Sequence, residues 1–505
     1  MQKEFSYECF NYTILDDGTA AVTDYVGEDI NVIIPGEMEG LPVTEISVRA
    51  FEHKEEILSV TLPSTVRKIG DHAFAECISL EKINLPASLK IIGDGAFFNC
   101  SHLTDINVPE TVKEIGEAAF LNCGRLADEC GFVIFRDVLY CYCGDAKDVV
   151  IPNGVKTVGC YSFSANYSLE SVALPDSVSK IEGEAFSGCK NLRRIDIPNV
   201  DCDIEDLAFS ECPSLADKDG FLIVNDILFD YYGNAANIVI SDRVRAIAGY
   251  AFCNQYKSSV ETVVLPEGLQ KLGAHAFREC VNLHSINVPD SLTEIGEDAF
   301  RRCPLLADEN GFVIIKSILF GYFGNKASIT VPDGIEVIGA GAFINSKNLI
   351  SLRLPNSLKI IGESAFAGCR SLVSINVPAH TKMENEAFRY CSGLADKKGF
   401  IIVNDVLFEY TSEAMSETVR RKTDGEEKTA SDIIIPEGVK ELSEGAFYFD
   451  EDNPLLSVLL PRSLEWIDPQ AFLFSGRENV ILHVYENSVG ERFAKEKHIS
   501  YSDIH

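Results

Sequence analysis

Apolar and polar residues follow a fixed order from Leu80 onward. Leu80, Ile83, Leu85, Pro86, Leu89, Ile92, Gly93, Ala96, Phe97 and Cys100 lead to Leu103, which opens the series again 23 residues later. Within the unit, Ile83 and Leu85 alternate with Lys82 and Asn84 as the two faces of a β-strand do. Pro86 stops that strand, Ile92-Gly93 turns the chain with a glycine free to take positive φ, and Ala96-Phe97 sends two apolar groups back inward. One such unit has no means of burying its own apolar side. The period therefore predicts a single elongated stack in which each turn lies against its neighbours.

The phenylalanines count the turns: Phe51, Phe74, Phe97, Phe120, Phe163, Phe186, Phe209, Phe252, Phe277, Phe300, Phe343, Phe366, Phe388, Phe447 and Phe472, fifteen in all. Most lie 22 to 25 residues apart, three gaps are 43, and the one after Phe388 is longer still. Each long unit opens alike, with Leu126-Ala127-Asp128 to Gly131-Phe132, Leu215-Ala216-Asp217 to Gly220-Phe221, Leu306-Ala307-Asp308 to Gly311-Phe312, and Leu394-Ala395-Asp396 to Gly399-Phe400. A β-rich run, a polar pair such as Asn225-Asp226 or Asn404-Asp405, and a second run follow, which predicts a hairpin added to one turn. Equivalent hairpins are expected to project about every 15 Å along one side, four similar protrusions in all.

The expected division is an N-terminal β-hairpin cap over 1–45, the solenoid over 46–484 with inserts near 126–150, 215–239, 306–330 and 394–432, and a C-terminal cap over 485–505. The first cap rests on residues 12–15, the turn Asp16-Asp17-Gly18 and residues 20–25. The last rests on a short helix within 487–497 that points Val489, Phe493 and Ala494 one way, with Tyr501 packed beneath it. The charged run 411–432 reads as a solvated, flexible extension of the fourth insert.

Composition narrows the function. A hydrophobic share of 46% supplies a continuous core, while 44 basic against 77 acidic side chains give a net charge of −33. Phosphate binding needs a basic face, so nucleic acid is excluded as the expected partner. No run approaches the roughly 18 apolar residues of a membrane span, and the first residues lack the apolar core of a secretory signal, so the chain as written reads as soluble and cytoplasmic. Nine of the sixteen cysteines, Cys77, Cys100, Cys123, Cys189, Cys212, Cys280, Cys303, Cys369 and Cys391, occupy one position of the repeat. They read as buried thiols acting as small hydrophobes, because parallel Cβ vectors on stacked turns make poor disulfides.

The unit Leu-x-x-Ile-x-Ile-Pro-x-x-Val-x-x-Ile-Gly-x-x-Ala-Phe-x-x-Cys, nearly whole in the turns ending at Cys123 and Cys303, resembles the repeat of BspA-like leucine-rich repeat proteins. The resemblance extends over about residues 40–485. It implies a β-rich, curved, right-handed leucine-rich repeat superhelix and the role frequent in that family, a surface or secreted protein that binds host matrix proteins or other cells.

Candidate chemistry is sparse. Cys130, Cys141 and Cys143 share the first insert, but the third holds Asn310, Gly321 and Phe323 at those places, so they read as incidental thiols rather than a zinc site. Asp217-Lys218-Asp219-Gly220 and Asp308-Glu309-Asn310-Gly311 resemble the start of a calcium loop but lack its twelfth-position glutamate, which leaves a turn. No nucleophile elbow, phosphate loop or His-Glu-x-x-His motif occurs, and neither enzyme activity nor a metal or cofactor is expected. The remaining candidate is the concave strand face, whose outward residues are Lys82, Asn84, Asp105, Asn107, Arg194, Asp196, Ser285, Asn287, Ser351, Arg353, Ser374 and Asn376. Such a ribbon of small polar groups suits an extended protein surface or a glycan. The alternative to a surface adhesin is an intracellular interaction scaffold using the same face.

Overall fold

A computed structural model describes residues 4–504 apart from 200, 254–258, 412, 417, 419–431, 450–455 and 475–479. Most of the charged run 411–432 falls outside the described residues.

The chain winds as a β-solenoid of stacked parallel coils. One ladder is built from short strands such as Ser59–Thr61 on Lys82–Asn84, and a second from two-residue strands such as Lys68–Ile69 on Ile91–Ile92 on Glu114–Ile115. Between them the Ala-Phe turn closes each coil through backbone bonds to the next, Phe51 N donating to Ala73 O and Phe74 N to Ala96 O. The phenylalanine rings therefore stack along the axis. Phe74, Phe97 and Phe120 lie 5.5 Å apart at interplanar angles of 4° and 5°.

The cysteine that follows nine of the fifteen turn phenylalanines is buried for a specific reason. Its thiol donates to the phenylalanine carbonyl of the preceding turn, Cys77 to Phe51, Cys100 to Phe74, Cys189 to Phe163 and Cys369 to Phe343, each at 3.1 Å. A small side chain with one weak donor fits this place, where a valine would leave the carbonyl with less satisfaction and a serine would carry a stronger desolvation cost. No disulfide is formed among these residues.

The long units depart from expectation. Each does contain a hairpin, Phe132–Phe135 with Val138–Tyr142, Phe221–Val224 with Ile227–Tyr231, Phe312–Ile315 with Ile318–Tyr322, and Phe400–Val403 with Val406–Tyr410. These hairpins are not protrusions. The second strand of each takes a place in the second ladder, Val138 and Leu139 pairing in parallel with Thr157 and Val158 for example, and its side chains enter the core. Neither ladder continues across the hairpin, so each one begins a new block, and the buried side chains fall into five clusters accordingly.

The N-terminal hairpin, Phe10–Ile14 with Ala20–Tyr25, is the same device. Its Ala20–Tyr25 strand pairs in parallel with Leu41–Ile46 and its Tyr25 stacks on Phe51, as Tyr142 stacks on Phe163, Tyr231 on Phe252, Tyr322 on Phe343 and Tyr410 on Phe447. A glycine follows two residues after four of these tyrosines, Gly27, Gly144, Gly233 and Gly324, and a Cβ there would run into the tyrosine ring. The ring column is broken just before each internal restart by an edge-on ring, Tyr140 against Phe120 at 85° and Phe229 against Phe209 at 81°.

The aspartate that opens each unit nucleates the turn into the hairpin. Asp128 Oδ1 accepts from Cys130 N and Phe132 N, and Asp217, Asp308 and Asp396 repeat the pair of bonds. That arrangement uses the carboxylate within the turn and requires the glycine, which sits at φ +90° in Gly131. At the far end, the helix Val489–Glu496 buries Phe493 and Ala494 against the last coils. Tyr501 lies under the side chain of Lys495 of this helix, as a strand residue at its edge. It begins the strand Tyr501–Ile504, which pairs with Val480–Tyr485, and its ring is partly exposed.

Candidate interaction surface

The strands of the first ladder expose every second side chain, and they place all but one of the twelve predicted residues in solvent; Ser351 is half-buried. Within a block these residues align across strands. Lys82 sits in register with Ser59 and Asp105, Arg194 with Ser171, Asp196 with Ala173, Ser374 with Ser351, and Asn376 with Arg353. Residues of different blocks are not in one hydrogen-bonded row, since the ladder restarts at each hairpin.

Four of the twelve have internal duties. The Asn84 amide accepts from Leu62 N at 2.8 Å and donates to Leu62 O at 3.1 Å, and Asn287 and Asn376 bracket Leu265 and Leu354 in the same way. Ser351 Oγ donates to Ser328 Oγ at 2.7 Å. These asparagines tie the end of one strand to the preceding turn, a role the outward position alone does not reveal. Asn84→Ala is expected to lower stability by about 1 kcal/mol, read by thermal or denaturant unfolding, and to leave partner capture unchanged.

Among the described residues, Lys82, Asp105, Asn107, Arg194, Asp196, Ser285, Arg353 and Ser374 make no side-chain hydrogen bond or ion pair. Their polar ends face water. Arg194 and Ser374 also line two equivalent clefts of about 270 and 330 Å³ at the ends of their blocks, the first between Ile195, Leu215 and Val224, the second between Ile375, Leu394 and Val403.

The same face carries apolar residues that the polar reading missed. In the first strand of a block the third residue points outward, and it is Ile33, Val150 and Val239, which are 72%, 72% and 69% exposed. Val264 extends the row beside Val239, Ile434 takes the place in the last block, and Thr330 in the fourth. The signal was present as unbroken apolar runs where alternation calls for a polar residue: Val32-Ile33-Ile34, Val149-Val150-Ile151 and Ile238-Val239-Ile240. Among the described residues no group of three or more His, Cys, Asp or Glu side chains is arranged to hold a metal ion, and no helix is long and apolar enough to cross a membrane.

Stacked coils with a short-strand ladder, a buried phenylalanine column and an exposed polar strand face define a leucine-rich repeat protein, a protein-interaction fold. The model of the BspA type leucine rich repeat region matches residues 40–129, 134–255, 222–310, 313–412 and 426–504, and the chain belongs to that family. Among solved structures it is similar to a leucine rich cell surface protein from Faecalibacterium prausnitzii A2-165, with 28% identity over 74% of this chain and 95% of that one and a TM-score of 0.31. It is also similar to a leucine-rich repeat protein from Bacteroides ovatus, with 23% identity over 99% and 100% and a TM-score of 0.30, and to the T. pallidum leucine rich repeat protein, with 27% identity over 57% and 92% and a TM-score of 0.27. No curated protein sequence matches.

Proposed function

We propose that this chain is a non-enzymatic binding protein that engages the surface of another protein through the outward face of its first strand ladder, in the manner of a matrix- or cell-binding adhesin. The observation that carries the reading is the recurrence of Ile33, Val150 and Val239 at one register of successive blocks, each about 70% exposed. Isolated exposed aliphatics are ordinary, but the same outward position held apolar at successive restarts is a spaced set of anchors. On the same strand faces, Lys82, Asp105, Arg194 and Asp196 supply unpaired charges of both signs, as a polar rim does, and Arg353 continues them in the fourth block.

The test is capture of a panel of purified extracellular-matrix proteins by the immobilised chain, compared with two variants. Ile33→Asp combined with Val150→Asp and Val239→Asp is expected to weaken capture by about tenfold or more with the melting temperature nearly unchanged. Charge reversal at Asp105, Asp196 and Arg353 is expected to weaken it less and to raise its salt sensitivity. Undiminished capture by the folded aliphatic variant removes this face from the interaction. Absence of capture from the whole panel, with binding instead to a protein of the source's own cytosol, replaces the adhesin by a scaffold.

A further inference from the structure

We propose that Cys141 and Cys143 form a redox-active thiol pair that closes to a disulfide by exchange with a low-molecular-weight disulfide. The two sulfurs lie 3.3 Å apart at the end of the strand Val138–Tyr142, where the second block begins. Two thiols of the repeat, Cys369 and Cys391, also interact side chain to side chain, but both are buried out of reach of a small disulfide. Cys123, the repeat thiol nearest the pair, donates at 3.0 Å to Phe97 O inside the core, whereas Cys141 and Cys143 hydrogen-bond to each other.

Access is divided between the two as an exchange reaction requires. Cys143 is exposed, while Cys141 is 4% exposed behind it. A small disulfide reaches the outer sulfur, and the inner one is placed to resolve the product. The S–H of one thiol donates to the other sulfur, which favours formation of the first thiolate on Cys141 and holds back the second proton on Cys143. The equivalent positions in the later blocks are Asp230 and Tyr232, Gly321 and Phe323, and Glu409 and Thr411, so the chemistry belongs to this one restart.

The steps balance without any further reagent. Cys143 passes its proton to the Cys141 thiolate as it attacks one sulfur of the small disulfide, whose S–S bond breaks and releases one thiolate, which takes that proton from Cys141. Cys141, as thiolate, then attacks the Cys143 sulfur of the mixed disulfide and expels the second small thiolate, which is also protonated. The two protein thiols have lost two electrons and two protons, and the small disulfide has become two thiols.

The experiment uses the full chain with Cys130→Ser, which removes the other exposed thiol of that unit, reduced, desalted and incubated with oxidised glutathione under native conditions. Intact mass and peptide mapping are expected to show loss of two hydrogens on the peptide holding Cys141 and Cys143, reversed by dithiothreitol. With Cys141→Ser added, Cys143 is expected to retain one glutathione; with Cys143→Ser added, Cys141 is expected to stay unmodified. Because Cys141 is buried and its variant risks misfolding, prior treatment of the parent with phenylarsine oxide, which bridges close thiol pairs, supplies a second measurement and is expected to block closure. A parent that accumulates the glutathione adduct on Cys143 without closing, or that reacts only after denaturation, overturns the proposal.

Discussion

Phe97→Ala is expected to destabilise the first block by about 3–5 kcal/mol, the cost of removing a fully enclosed aromatic side chain and leaving a cavity. Phe97 is 0% exposed and sandwiched at 5.5 Å between Phe74 and Phe120, so neither neighbour has room to collapse into the space without leaving its own stack. In a stacked architecture each coil contacts mainly the coils beside it. The loss is therefore expected to be local: hydrogen exchange should quicken across the coils of Phe74, Phe97 and Phe120, while the coils of Phe447 and Phe472 keep their protection. Lys82→Ala, on an exposed side chain of a nearby strand, is the control and should change stability by no more than about 0.5 kcal/mol. Equal effects of the two substitutions would mean that the ring column is not the core.

Stability is expected to fall steeply above about pH 9, because burial pushes the thiols of Cys77, Cys123 and Cys303 up to about 12 and that of Cys189 up to about 11, from an ordinary 9.0. The unfolded chain sheds these protons first, so between those values the folded state binds more protons and rising pH favours unfolding. The contribution is fully present below the unfolded value and is lost as pH climbs through the folded one. Each such thiol adds a slope of about 1.4 kcal/mol per pH unit within the window, and four titrating together outweigh most single substitutions. Melting temperature against pH is the measurement, repeated at high salt to screen the repulsion that accompanies a net charge of −33. Cys77→Ala combined with Cys123→Ala should flatten the alkaline slope even though it lowers stability at neutral pH. An unchanged slope would assign the alkaline loss to other groups, such as the buried tyrosines.

Much of the coil was legible because its period is written in side chains that must be buried. Ala96, Phe97, Cys100 and Leu103 recur at fixed distances, and each is fully enclosed in the structure. The hairpins were legible as strands and turns, since Asp217, Gly220 and Asn225-Asp226 carry local turn chemistry. Their role was not. Whether a hairpin projects or opens a new block depends on which coil its second strand pairs with, as Val138 and Leu139 pair with Thr157 and Val158. That is a contact between residues about twenty apart with no local signature.

The interaction surface divides along the same line. By itself the sequence determined which strand positions face away from the core, because strand alternation fixes them, and that many of them are polar and mixed in charge. It also determined the repeat, the burial of the thiols and the acidic excess. Only the tertiary structure decided that Asn84, Asn287 and Asn376 are occupied with the backbone of the preceding turn, that Ile33, Val150 and Val239 share one exposed register, and that Cys141 meets Cys143. Period and alternation are properties of a single strand, whereas an amide's partner and a residue's exposure at a block's edge are set by how one coil lies on another, and the gap between the two sulfurs by the local path of the chain at the end of Val138–Tyr142.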